Sequence, residues 1–366
     1  MKIKDICYVT KLAGFEYSKH FSGKFEEEGI PLIQGKNIKN NSLDLTDVHY
    51  ISEELSNSLP RSQVDKNSIL FCYICNIGDC WINSDGLKLH LGSNVAKINV
   101  TDINVIPSYL FYWLQSPIHK KYIYQISKGS AQKNINMEEI RNIDIDIPKK
   151  EIQQHIVNTI GSVDDLIENK QKQIDLLLNI GLIKINTYNQ SKTKLISKIA
   201  SFEKGQEIGS ANYIDIKNEN SIPYLRVGDL QDNNNCVYVD SSLAQENTSE
   251  DDIIVAFDGS PGRNAICLSG VRSSGLYKIV CDKQYKGLLY FEMNSKLNKS
   301  IIKNHSQGTT ILHASKAISY LEFADIDERS KETLNYLFNQ ILTIKKQINK
   351  LKLQKQLLLD KYFTNQ

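Results

Sequence analysis

One segment of this sequence is written twice. "IPLIQGKNI" at residues 30–38 returns as "IPYLRVGDL" at 222–230, and a long internal repeat constrains architecture more than any local propensity does. The order of the surrounding segments repeats as well. "DKNSILFCYICNIGDCWI" (65–82) faces "SEDDIIVAFDGSPGRNAI" (249–266). Each has a polar lead-in, a β-rich apolar run, a Gly-containing turn and a return strand, which is a hairpin pattern. "LGSNVAKINV" (91–100) then faces "RSSGLYKIVC" (272–281), and the helical "SYLFYWLQS" (108–116) faces "LLYFEMNSK" (288–296). Last, "SKGSAQKNI" (127–135) faces "SQGTTILHA" (306–314).

Each copy runs on into a long amphipathic pattern. In the first, Ile156, Ile160, Val163, Ile167, Ile174 and Leu177 recur at alternating steps of four and three, with Lys170 taking one seam position. In the second, Leu334, Leu337, Ile341, Ile344, Ile348, Leu351 and Leu358 do the same, with Lys355 in the seam. A sustained 3.5-residue apolar period with polar residues outside predicts helix pairing with helix. Pro148 suits the start of the first helix. Two helices that each follow a globular copy can fold back and pair antiparallel. The expected fold class is α+β, with two tandem-duplicated α/β domains at 1–148 and 191–325, separated by long helices at 149–190 and 326–366 that form an antiparallel coiled coil.

Composition excludes more than it proposes. No apolar run approaches the roughly 18 residues that a membrane helix needs, and the opening MKIKDICYVT meets charge too early for a secretory core. Seven cysteines, an odd number, do not read as a disulfide scaffold, so a cytoplasmic home is expected. The net charge of +2 is not distributed evenly. Residues 1–148 carry 16 Lys+Arg against 17 Asp+Glu and 199–325 carry 12 against 16, while 149–198 carry 8 against 5 and 326–366 carry 8 against 4.

The motifs of stand-alone enzymes are missing. There is no Gly-x-x-x-x-Gly-Lys-Ser/Thr phosphate loop, no Gly-x-Ser-x-Gly elbow and no His-Glu-x-x-His helix. No two prolines are adjacent, so the Asn/Asp-Pro-Pro-aromatic run of amino-methyltransferases is absent too. The best metal candidate is Cys72-x-x-Cys75 with Cys80 and His90, but strand positions three apart point to opposite faces. Small buried hydrophobes are the expected role for these thiols, and no metal or cofactor is predicted. His119 and His155 read as surface residues rather than bases, and "DGSPGR" (258–263) as a hairpin turn.

The duplicated tip, "LGSNVAKI", the paired Gly turns and the helices ending "QKQIDLLLNI" and "KLQKQLLLDKYF" together resemble the specificity subunit of Type I restriction–modification systems. The resemblance covers essentially the whole chain. It implies two target-recognition domains, each reading one half of a split site in double-stranded DNA, with the helical pair as a ruler. It further implies that methyltransferase subunits, and ATP-dependent restriction subunits, are separate partners. Shared framework with different tips would then read two short sequences. The first tip offers Gln34, Lys36, Asn37 and Lys39; the second offers Arg226, Asp229, Gln231 and Asp232. Gln and Asn suit adenine edges, Arg and Lys suit guanine, and Asp accepts from cytosine. Further candidates are Lys11, Tyr17, Lys19 and His20, and in the second copy Arg263 and Arg272. Lys128, Ser130, Gln132 and Lys133 lie in one Gly turn, facing Thr309, Thr310 and His313 in the other. The competing readings are the recognition chain of a related two-subunit system and a coiled-coil adaptor whose globular ends bind proteins.

Overall fold

The computed structural model describes residues 1–21, 25–74, 76–129, 133–189, 192–230, 236–307 and 312–364. Contacts divide the chain into two units, Met1–Leu166 with Leu351–Gln366, and Ile167–Lys350.

In the first unit, strands Cys7–Lys11, Val95–Val100, Ile69–Cys72 and Cys80–Ile82 form an antiparallel sheet in that order. The second unit builds the same sheet from Ala200–Lys204, Leu276–Cys281, Ile254–Ala256 and Asn264–Ala265. Registers agree residue for residue: Val95 lies opposite Cys72, and Leu276 opposite Ala256. The central strand is apolar throughout because both of its faces are covered. Ile69 and Phe71 enter one core while Leu70 and Cys72 enter another, as the two-residue period of a strand requires. Val255 and Phe257 are separated from Ile254 and Ala256 in the same way.

A second sheet in each unit carries the repeated tip. Ile30–Ile33 pairs in parallel with Leu89–Leu91, and Ser221–Leu225 with Val271–Arg272. That parallel pairing delivers the end of "IPLI" or "IPYL" next to the turn that leads into the first sheet.

The long helices are Lys150–Asn189 and Glu328–Phe363. Their expected seam residues are buried or partly buried. Ile160, Val163 and Ile174 are buried in the first helix; Leu334, Leu337, Ile341 and Ile348 are buried in the second. Ile167, Leu177 and Ile344 pack on the second unit's core, and Leu351 is half-buried. The seam lysines both find polar partners on the opposite helix: Lys355 meets Asp164 at 2.8 Å and Lys170 donates to Gln347 at 2.6 Å. In the first unit His155 meets Tyr362 and Asp164 meets Lys355; in the second Lys170 meets Gln347 and Tyr188 meets Asp327. Numbers rise along one helix as they fall along the other, so in each unit the segments run antiparallel. Close approach is enforced at Gly181, where an added Cβ would run into the Phe291 ring. Among the described residues no helix is long and apolar enough to cross a membrane.

Candidate nucleic-acid interface

Four segments that repeat in the sequence converge at one end of the sheets. In the first unit Gly35 packs on Asn94 and on the Ile74 carbonyl; a Cβ there would lie 3.1 Å from the Asn94 side chain and 3.6 Å from that oxygen. Ile74 in turn bridges to Asn134 at the mouth of the Gly turn. In the second unit the glycine moves across the contact: Gly275 makes room for Val227 and Asp258, which a Cβ would approach at 3.3 and 3.2 Å. Both Gly turns close alike. Lys128 and Asn134 exchange two backbone hydrogen bonds of 2.8 Å, and Gln307 and His313 exchange bonds of 2.9 and 2.8 Å.

At the tips, strand gives way to a tight 3-10 turn that needs a cap. Asn37 Oδ1 accepts the Gln34 backbone N–H at 3.0 Å, and Asp229 Oδ2 accepts that of Arg226 at 2.8 Å. The Asn37 amide nitrogen donates to the carbonyls of Asp44 and Asp47 at 3.1 and 3.3 Å. The Asp229 carboxylate holds the Arg226 guanidinium, Nε at 3.1 Å. Asn37 is 3% exposed and Asp229 5%. Expected as base readers, both are instead framework, because their polar atoms are buried and engaged inside the turn.

Arg272 needs the same correction. It is 2% exposed, with Nη1 donating to Thr248 Oγ1 at 2.8 Å and Nη2 to Glu246 at 3.0 Å. Glu246 also binds Lys278, and that bond, with the help of Arg272, holds its carboxyl below the usual range.

The other candidates stay near solvent in different states. Gln34 donates to Tyr17 at 3.2 Å and to Ser93 at 3.3 Å, so Tyr17 and Gln34 act as a pair. Lys36 meets Asp47 at 2.8 Å and lowers its pKa. Lys128 meets Glu139 at 2.7 Å, the hydrogen bond raising the lysine and lowering the glutamate. Lys11 stands 5.0 Å over Tyr73, and Lys133 stands 3.7 Å over Tyr124. The His313 ring meets Asp258 at 2.8 Å. Lys19 and Lys39 are exposed and His20 is half-buried. Arg263 lines an open groove. Ser130, Gln132, Gln231, Asp232, Thr309 and Thr310 lie outside the described residues.

Cys72 and Cys80 enter different cores on opposite sides of the sheet, and burial pushes the Cys80 thiol up to about 12. His90 is buried against Phe21 and burial lowers its pKa; Cys75 lies outside the described residues. Among the described residues no three His, Cys, Asp or Glu side chains group as metal ligands. His119, expected at the surface, is half-buried 3.6 Å from Trp113, and burial pulls its pKa down to about 4.

A family model described as "Type I restriction modification DNA specificity domain" matches residues 1–179. The chain is 29% identical over 165 residues to the Type I restriction enzyme EcoBI specificity subunit of Escherichia coli, covering 45% of this chain and 34% of that one. It is 28% identical over 178 residues to the MjaVIII specificity subunit of Methanocaldococcus jannaschii, covering 47% and 41%. The chain thus spans well under half of these relatives in each match. In fold it is similar to the S subunit of a Type I restriction–modification system from M. genitalium, at a TM-score of 0.50 and 17% identity, covering 99% of this chain and 95% of that one. Residues 1–179 therefore match the Type I restriction modification DNA specificity domain, and the fold of the whole chain is similar to that of one S subunit.

Proposed function

We propose that this chain is the DNA-recognition subunit of a Type I restriction–modification complex, acting in the cytoplasm without catalysis of its own. Residues 1–148 and 191–325 are the two target-recognition domains, and 149–190 and 326–366 are the helices that space them. Each domain reads one half of a split duplex target, and the methyltransferase and restriction subunits dock on the helices and domain flanks. The observation that carries this reading is the pairing of one framework with two sets of tips. Registers, caps and turn closures repeat across the copies, while the solvent-facing residues differ: exposed Lys39 and Lys128 and half-buried Lys133 on one side, half-buried Arg226 and Arg263 and exposed His313 on the other. The test is to map methylated bases in plasmids exposed to the assembled complex. A split asymmetric motif, one half of which changes when the loops of one copy are exchanged, supports the proposal. Methylation without a bipartite motif refutes it.

A further inference from the structure

One position distinguishes the two copies in charge. In the first, Lys120 on helix Pro117–Ile126 meets Asp79 of the hairpin turn at 2.8 Å. Its counterparts in the second copy are Lys299 and Arg263, and backbone bonds establish the equivalence. Cys72 N–H donates to the Asp79 carbonyl and Ala256 N–H to that of Arg263, both at 2.8 Å. Lys120 N–H donates to the Ser116 carbonyl, and Lys299 N–H to that of Ser295. Gly78 lies against Ile123 just as Gly262 lies against Ile302. An ion pair in one copy is thus two cations in the other. Lys303, one turn beyond Lys299 on the same helix face, adds a third.

These three side chains line an open groove of about 780 Å³ with Asn264 and Asn294. The two amides bond each other at 3.1 and 3.2 Å. Among the described residues no carboxylate pairs with any of the three cations. Three like charges on one concave face repel unless an anion sits among them. The groove borders Leu312 and Ser306, which flank the Gly turn of the recognition end.

We infer that Arg263, Lys299 and Lys303 form a phosphate-backbone clamp for duplex DNA that the second copy has and the first copy has cancelled with its own Asp79. This rests on the DNA-recognition reading. The second copy, the more acidic one, then grips the backbone at this groove, and the first does not.

The test uses the full chain and measures duplex binding by fluorescence anisotropy across a salt series. Each neutralised phosphate contributes about 0.9 to the slope of log K against log salt, so replacing all three cations by Ala lowers the slope by about 2 to 3. Arg263→Asp recreates the ion pair with Lys299, so the chain stays folded while the slope falls by about 2. Lys120→Ala leaves the slope unchanged. An unaltered slope in the folded Arg263→Asp chain overturns the clamp and leaves the function standing. Absence of salt-dependent duplex binding by the unaltered chain overturns both. Displacement of the duplex by inorganic phosphate at fixed ionic strength makes this a small-anion site and likewise overturns the clamp.

Discussion

The two tip caps share a geometry but differ in chemistry, and exchanging them is therefore an asymmetric perturbation. Asn37→Asp keeps the acceptor for the Gln34 N–H but deletes the donor that serves the Asp44 and Asp47 carbonyls at 3.1 and 3.3 Å. Both bonds are only part-buried, so each carbonyl left without its partner costs about 1–2 kcal/mol, the lower part of the range for a buried group, and the longer bond is the weaker of the two. A carboxylate pointed at two carbonyl oxygens adds repulsion, so the substitution costs about 2–4 kcal/mol. Asp229→Asn keeps the acceptor for the Arg226 N–H and loses only the ion pair to a guanidinium that is 41% exposed. Such pairs contribute about 0–1 kcal/mol. The chain's two tryptophans, Trp81 and Trp113, both lie in the first unit, so tryptophan fluorescence during urea unfolding reports Asn37→Asp directly. With a slope of about 2 kcal/mol per molar urea, its midpoint should fall by 1–2 M. Amide exchange across 225–230 should show Asp229→Asn barely affected. If Asn37→Asp leaves the midpoint in place and changes the methylated sequence instead, Asn37 is a base reader and its assignment as a cap is wrong.

Gly287→Ala should destabilise the second unit more than Gly181→Ala. Its Cβ would stand 2.5 Å from the Leu334 backbone, which cannot give, whereas at Gly181 the obstacle is the Phe291 ring; thermal melts of the two variants rank them. His119 should make the first unit acid-sensitive. Its folded pKa, about 4, lies below the ordinary 6.5, so the unfolded chain binds the proton first, and stability present above 6.5 is lost as pH falls toward 4. His119→Gln should flatten that loss in urea titrations between those limits. Lys355→Met should cost about 1 kcal/mol, because Asp164 keeps the Tyr112 hydroxyl at 2.9 Å but loses a partly buried ion pair. Denaturation that is unchanged, or a loss several times larger, would contradict that seam geometry.

The duplication, the two seams and the hairpins were legible because each is a periodic or repeated pattern. Burial acts on spacing, and the register Val95 to Cys72, repeated as Leu276 to Ala256, follows from segments that align by eye. The tip side chains were not legible from type alone, since Asn or Asp offers the same atoms to a turn as to a base. One signal was available. An Asn or Asp stands three residues past the first residue after the strand in both copies, Gln34 to Asn37 and Arg226 to Asp229, which is the spacing of a cap. A residue class kept at aligned positions serves the shared backbone, whereas readers of different sequences have to differ. That rule still fails at Arg272, which aligns with the buried Leu91 and is itself buried. Its partners Glu246 and Thr248 come from a stretch outside the repeated segments. It fails the other way at Lys299, which matches Lys120 in type while its surroundings reverse, because Arg263 has replaced Asp79. Local spacing determines where a backbone group finds its cap. The state of a charge depends on partners distant in sequence, and those become visible only once the chain is folded.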